Sequence, residues 1–398
     1  MTNPADLPRL EDLSGAVGGG RRVLLRADLN VPLSNGAIDD DLRITSARPT
    51  IDWLLEQGSA VVACSHLGRP KGKPDPKFSL APVAARLAEV LGRPVVLAPG
   101  VVGPAVAEQA RALRAGEVLL LENLRFEPGE TANDPEFAAA LTSLGDAYVD
   151  DAFGAVHRAH ASIVGPPARL PCAAGRLLAR EVEVLGHLLD TPARPFVTIL
   201  GGVKVSDKLG VIDVLLDKCD TLLVGGAMAF TFLVAQGYAV GDSLVEPEMV
   251  EHCRRLLETG RVLVPTDVVV AQEMTADATA RHVSASRIPD GWKGLDIGPE
   301  TAGRFADEIE TAATVLWNGP MGVFELAPFA AGTKTVAQAV AECDGFTVIG
   351  GGDSASAVRH FGFADRIDHV STGGGASLEL LEQGDLPGLR ALREGVRG

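Results

Sequence analysis

Short, almost wholly apolar runs recur along this chain, and each ends in a polar or glycine-rich break before apolar residues resume at helical spacing. In the first part these runs are Arg22–Arg26, Ala60–Ser65, Pro94–Ala98, Glu117–Leu121 and Ala147–Asp151. Ile44, Ala47, Ile51, Leu54 and Leu55 then mark one helical face, and Val83, Leu87, Val90 and Leu91 another. In the second part the runs are Phe196–Leu200, Thr221–Val224, Val315–Trp317, Phe346–Ile349 and His369–Ser371. Helical spacing follows the first of them through Leu209, Ile212, Leu215 and Leu216, with Ser206 or Asp207 as expected N-cap, and a helix at Ala376–Leu381 follows the last. Strands alternating with helices throughout predict an α/β fold built on parallel sheet.

At 398 residues the chain exceeds one ordinary core, so two domains are expected. The boundaries read as residues 1–172, a connecting helix within 173–190 bounded by Pro171 and Pro192, residues 191–383, and a short closing segment over 384–398. Thr221 to Val240 is uncharged, but Gly225-Gly226 splits it and no basic anchors flank it, so it reads as buried strand and helix rather than a membrane span. A net charge of −16 argues against nucleic acid or an anionic membrane as partner. Five scattered cysteines without a C-x-x-C pair, and an N-terminus lacking the features of a signal peptide, make a soluble cytoplasmic protein the expectation.

The chemistry-bearing residues gather just past strand ends, where open α/β sheets bind ligands. Asp28, Asn30, His66, Arg69, Arg125 and Arg158 come from four such ends, with Arg43 close behind the first. Any one arginine reads as a surface salt bridge; several converging predict a small, multiply charged substrate. In the second part the ends are glycine-rich instead: Gly201-Gly202, Gly225-Gly226, Gly350–Gly352 and Gly373–Gly375. Bare amides at helix starts bind anions, which suits a phosphate chain. Lys204 and Lys208 follow the first glycine pair, and Lys208 sits against a helix dipole, which makes sense if an anion fills the site. Asp353 is the candidate magnesium ligand and Glu325 a candidate acceptor for sugar hydroxyls.

No P-loop, zinc spacing or G-x-S-x-G elbow is present. Gly350–Ala355 satisfies the dinucleotide pattern G-x-G-x-x-A, but the following acids, Asp365 and Asp368, come too soon. An arginine-rich half and a glycine- and lysine-rich half point to phosphoryl transfer, which needs positioning and positive charge more than a protein nucleophile. A nicotinamide-dependent dehydrogenase and a non-catalytic nucleotide- or sugar-phosphate-binding protein stay open as alternatives.

Taken together, Arg26–Pro32, His66–Pro70, Leu121–Phe126, Asp151–Gly154 with His157–Ser162, Gly201–Lys208, Trp317–Glu325, Gly350–Ser354 and Ser371–Leu381 resemble, in order, the signature segments of the phosphoglycerate kinase family. The resemblance implies two doubly wound, Rossmann-like domains joined by a hinge helix, a C-terminal tail returning to the first domain, and a monomer. It implies reversible transfer between 1,3-bisphosphoglycerate and ADP, giving 3-phosphoglycerate and ATP, with Mg2+ and hinge-bending closure. It puts the acid substrate on Asp28, Leu29, Asn30, Arg43, His66, Leu67, Gly68, Arg69, Arg125 and Arg158. The nucleotide falls to Lys208, Gly294, Glu325, Gly351, Gly352, Asp353 and Ser354, with magnesium at Asp353. Arg43, Lys204, Gly351 and Gly374 are implied to stabilise the phosphoryl group in flight. Ala27, Leu29, Val203 and Ser354 depart from the residues common in the family; none removes a charge.

Overall fold

The computed structural model describes residues 6–34 and 36–397, and these fold as two compact units, one made by the described residues up to 186 with 383–397 and the other by residues 187–382. The helix Arg176–Asp190 carries the chain from one to the other.

The first unit holds a six-stranded, all-parallel sheet in the order Val95–Leu97, Val118–Leu120, Ala60–Cys64, Arg22–Ala27, Ala147–Asp151, Cys172–Ala174. The three central strands are buried along almost their whole length, which is why they read as unbroken apolar runs. Val95–Leu97 is an edge strand, only partly covered. Val23, Leu25, Val61, Val149, Ile44, Ile51, Leu54, Val83 and Leu87 form one core cluster. Each large apolar side chain so buried contributes roughly 1.5–3 kcal/mol before chain entropy is counted.

The closing segment forms the helix Pro387–Glu394 on this unit. Gly388 donates its amide to Val156 O at 2.9 Å, and Cys172 N donates to Val396 O at 3.1 Å. A Cβ at Gly388 would come within 2.7 Å of Ile163, so glycine permits the close approach.

The second unit repeats the plan, with parallel strands in the order Val262–Leu263, Thr221–Val224, Phe196–Leu200, Thr314–Asn318, Phe346–Gly350, His369–Val370. Its core joins Val197, Ile199, Val315, Trp317 and Ile349 to Phe305, Val336 and Val340. The uncharged stretch from Thr221 becomes a buried strand and the helix Ala229–Ala235. Among the described residues no helix is long and apolar enough to cross a membrane. All five cysteines are free.

Two expectations need correction. The strand–helix alternation breaks between residues 267 and 297, where Arg281–Ser284, Asp267–Ala271 and Lys293–Ile297 form an antiparallel three-stranded sheet with a register shift after Val269. Leu33–Ser34 and Ala37–Ile38 add a small antiparallel ladder after the first strand. The helix after Gly201-Gly202 also starts later than expected: Ser206–Lys208 is a single 3-10 turn, the α-helix runs Leu209–Lys218, and its N-cap is Lys208 itself. Ser206 does not cap it, because its hydroxyl is committed elsewhere.

Candidate active site

Strand order decides which ends are neighbours. In the first unit, Val118–Leu120, Ala60–Cys64, Arg22–Ala27 and Ala147–Asp151 lie side by side. Their ends supply Arg125, then His66 to Arg69, then Asp28 to Asn30, then His157 and Arg158. Arg22–Ala27 has its next strand on one side and Ala147–Asp151 on the other, so the strand order reverses beside it; this is the crevice where open sheets bind ligands.

Backbone and side-chain bonds knit these ends together. Leu29 N donates to Ser65 Oγ at 2.9 Å, and Gly68 N donates to Asn30 Oδ1 at 2.9 Å. Asn123 accepts from Leu67 N at 3.2 Å and from Arg125 N at 3.0 Å, while its Nδ2 donates to Leu67 O at 2.7 Å. Arg125 Nη1 donates to Gly68 O at 2.8 Å, leaving Nε buried without a partner. Arg43 reaches from the helix Leu42–Glu56 to the buried Asp28, with Nη1 3.1 Å from Oδ2 and 3.1 Å from Asn30 O. Arg69 and Arg158 are exposed, and Arg158 Nε donates to His157 Nε2 at 2.8 Å.

The charge is unbalanced. Burial pulls the Arg125 guanidinium down to about 10, and the nearby Arg158, Arg26 and Arg69 pull it the same way. His157 and His160 are both lowered to about 4, chiefly by burial and then by Arg158 and Arg125 respectively. Cations crowded enough to disfavour one another's charged forms make a place where an anion is stabilising.

Arg26 belongs to this group but was given no role on the sequence. It is buried, donating from Nε to Ser162 Oγ at 3.0 Å, from Nη1 to Ala27 O at 2.6 Å, and sharing Nη2 with His66 Nδ1 at 3.1 Å. Ser162 Oγ passes the chain on to the buried Glu130 at 2.7 Å. An arginine closing an otherwise apolar strand was the available signal; nothing near Glu130 in sequence pointed to it.

In the second unit the order reverses between Phe196–Leu200 and Thr314–Asn318, and the turns beyond these strands and Thr221–Val224 meet main chain to main chain. Gly202 N donates to Pro320 O at 3.1 Å and Met228 N to Gly202 O at 3.1 Å. A Cβ on Gly201 would lie 2.1 Å from Pro320 O, on Gly226 2.4 Å from Gly202 N, and on Gly319 2.4 Å from Gly201 O. Only glycine allows three backbones to touch in this way.

Lys208 Nζ donates to Asn318 Oδ1 and, at 3.3 Å, to Asn318 O. Burial lowers its ammonium to about 8, against the opposing pull of Asp353 and Asp207. Asn318 Nδ2 is left buried without a hydrogen-bond partner, beside Gly351 (φ +88°), the N-cap of the helix Gly352–His360. Asp353 stands exposed in the first turn of that helix, and Ser354 Oγ accepts from Gly319 N, so the hydroxyl common to serine and threonine is in use. Lys204 is exposed, as is Val203 at 59%, so the bulk that valine adds meets solvent.

Not every expected residue joins this group so directly. Gly294 lies on the antiparallel sheet against the ring of Phe230, its amide donating to Ser243 Oγ at 2.9 Å. Exposed Glu325 follows Phe324, whose ring packs edge-on against His360 and Phe361 at the far end of the Asp353 helix. Gly374 (φ +56°) sits in the turn after His369–Val370, one strand further along the sheet.

The amides at the start of the Lys208 turn are not bare, contrary to expectation. The carboxylate of Glu246 accepts from Val205 N at 2.6 Å and Ser206 N at 3.3 Å, and takes the Ser206 hydroxyl as well. That anion comes from the chain itself, forty residues downstream of the turn, too far for any spacing rule.

A family model described as phosphoglycerate kinase matches residues 13–384. The chain is 58% identical over 392 residues to the phosphoglycerate kinase of Salinispora arenicola (strain CNS-205), spanning 96% of this chain and 98% of that one. It is 56% identical over 382 residues to that of Roseiflexus sp. (strain RS-1), spanning 94% and 97%. Among solved structures, phosphoglycerate kinase from Coxiella burnetii matches with TM-score 0.84 at 40% identity, and that from Pyrococcus horikoshii OT3 with TM-score 0.86 at 31%. Each covers 97% of this chain and is itself 98% covered.

Proposed function

The chain belongs to the phosphoglycerate kinase family, and from that premise we propose how its two strand-end clusters divide the work. The activity is reversible phosphoryl transfer between 1,3-bisphosphoglycerate and ADP, giving 3-phosphoglycerate and ATP. The acid substrate belongs to the first unit, on Asp28, Asn30, His66, Arg69, Arg125 and Arg158, with the backbone of Leu29, Leu67 and Gly68 holding their spacing. The nucleotide belongs to the second, on Lys208, Glu325, Gly294 and the Gly351–Ser354 turn.

One observation carries the assignment. Four adjacent strand ends at a reversal of strand order deliver arginines and histidines whose charged forms disfavour one another, which a small polyanion relieves. With the acceptor already a carboxylate, no general base is needed. Arg43 and Lys204 then stabilise charge on the phosphoryl group in flight, helped by amides at Gly351 and Gly374.

Nucleotide-dependent phosphoryl transfer generally uses Mg2+. The residues suit it: Asp353 is an exposed carboxylate beside Lys208, and magnesium takes one or two carboxylates with phosphate oxygens and waters. Bound there, the ion would neutralise charge on the phosphate chain. With each substrate on its own unit, transfer requires a closed state that excludes water. We read the protein as a cytoplasmic monomer, in keeping with free cysteines and a net charge of −16.

The test is a coupled assay of ATP-dependent phosphorylation of 3-phosphoglycerate, with and without Mg2+. Magnesium-dependent turnover is expected. Absence of transfer with both ligands bound would leave a binding protein, and a nicotinamide absorbance change with a hydroxy acid would favour a dehydrogenase.

A further inference from the structure

We propose that Glu246 is a positioning residue for the phosphoryl-transfer lysine: its carboxylate clamps the turn that carries Lys204 and thereby fixes where that ammonium stands. The inference rests on the role given above to Lys204. Ahead of Lys208, which is itself bound to Asn318, the turn from Gly202 is held at two places. At one, Gly202 is bound through its amide to Pro320 O and through its carbonyl to Met228 N. At the other, Glu246 gathers Val205 N, Ser206 N and the Ser206 hydroxyl onto one carboxylate. Lys204 lies between these two anchors, and Val203, Lys204, Ser206 and Asp207 are all exposed.

Glu246 is itself well fixed. It is buried, and its amide donates at 3.2 Å to the buried Thr231 Oγ1, on the helix that follows Gly225-Gly226. Among the described residues no lysine, arginine or histidine forms an ion pair with it. A buried carboxylate without a counter-ion persists here because two backbone amides and a hydroxyl donate charge-assisted hydrogen bonds to it. Those amides are thereby withheld from the nucleotide, so the phosphates fall to side-chain cations and to the glycine turns of neighbouring strands. A clamp that spends one anion on the main chain leaves Lys204 free to meet another.

The test is a double-mutant cycle on the full-length enzyme, read as kcat, as KM for ADP and 3-phosphoglycerate, and as thermal midpoint. Glu246→Ala removes the acceptor shared by Val205 N, Ser206 N and the Ser206 hydroxyl, whereas a glutamine could turn its oxygen to both N–H groups and its NH2 to the hydroxyl. The alanine variant is expected to lower kcat about tenfold or more, because a misplacement on the order of 1 Å costs that much or more, while both KM values hold within about threefold. Ser206→Ala, which removes one bond and leaves the carboxylate in place, is expected to give a smaller loss in the same direction. In a Lys204→Ala background, followed by single-turnover quench, Glu246→Ala should lower the rate no further. An equal loss in both backgrounds, or a lower midpoint with unchanged kcat, would reduce Glu246 to a structural role. If Lys204→Ala itself left turnover intact, the role of Lys204 would be overturned, and the purpose of the clamp with it.

Discussion

Arg26 shares its Nη2 with Nδ1 of His66 at 3.1 Å, and that contact decides which imidazole nitrogen carries the proton. A guanidinium has donors only, so Nδ1 must accept, and the neutral ring keeps its hydrogen on Nε2. Burial first, then Arg26, Arg125 and Arg43, hold His66 well below the ordinary histidine range. His66 is thus a fixed neutral donor, suited to a carboxylate or phosphate oxygen at any physiological pH.

Replacing Arg26 by methionine should therefore do two separable things. Stability should fall by about 3–5 kcal/mol, since Glu130 and Asp150 lose a buried cation in their network. The His66 imidazole should also lose its single tautomer, which nitrogen chemical shifts report directly. A ring still locked with hydrogen on Nε2 in Arg26→Met would show that something other than Arg26 sets it.

Arg43→Ala should lower kcat on the order of 10²–10³-fold, while 3-phosphoglycerate affinity weakens far less. The structure adds a second consequence. Asp28 Oδ2 is buried, makes no hydrogen bond, and lies 3.1 Å from the Arg43 guanidinium, so the variant should also be less stable. Comparing kcat at substrate saturation with binding measured by titration separates the effects. Equal losses in affinity and in kcat/KM, with kcat unchanged, would assign Arg43 to ground-state anchoring.

Gly351→Ala should damage the nucleotide turn without touching the first unit. Its φ of +88° is strained for any residue with a Cβ, and that atom would lie 2.8 Å from Asn318 Nδ2. Strain of this kind costs on the order of 1–3 kcal/mol. Weaker Mg-ADP binding with unchanged 3-phosphoglycerate binding is the expected calorimetric result. Wild-type ADP affinity in the variant would remove Gly351 from the nucleotide site.

Burial raises the Asp296 carboxyl to about 7, against the pull of the Gly332 and Ile297 amides that it accepts. Between the unfolded value near 3.8 and about 7 the folded state holds a proton that the unfolded chain has released, so this group's contribution falls as pH rises. Asp150, raised to about 7, and Asp151, raised to about 6, act in the same sense. His157 and His160, lowered to about 4, act oppositely from there up to 6.5, since the unfolded chain then takes up more protons. Asp296→Asn should accordingly gain on the wild type as pH rises from 5 towards 7, by at most about 1.4 kcal/mol per pH unit. Urea unfolding across that range is the measurement; parallel curves for the two proteins would mean that Asp296 titrates normally.

Much of this was legible because buried parallel strands write themselves as unbroken apolar runs, and in such sheets the chemistry gathers at their ends. Asp28, His66, Arg125 and Arg158 could be picked out for that reason alone. What could not be read is what tertiary contact decides. Glu246 is one of many acids in an acidic chain until the fold places it on Val205 and Ser206. The start of the helix at Leu209 followed from the same contact, because Ser206 spends its hydroxyl on Glu246 rather than on a cap. The antiparallel strands between Asp267 and Ile297 escaped a reading tuned to strand–helix alternation, since the apolar run Asp267–Ala271 has no helical spacing after it and its partners Arg281–Ser284 and Lys293–Ile297 are rich in polar residues.

The touching turns at Gly201, Gly226 and Gly319 bear on how this protein can change over generations. A clash between two side chains can be relieved by a second substitution that trims the partner. Here the partner of each glycine is a carbonyl or amide of the main chain, which every residue carries alike. No second-site suppressor can be encoded for it. A larger residue at any of the three must displace a whole strand end, and the lysine turn and the Asn318 loop move with it, so these positions are closed to drift one at a time and together.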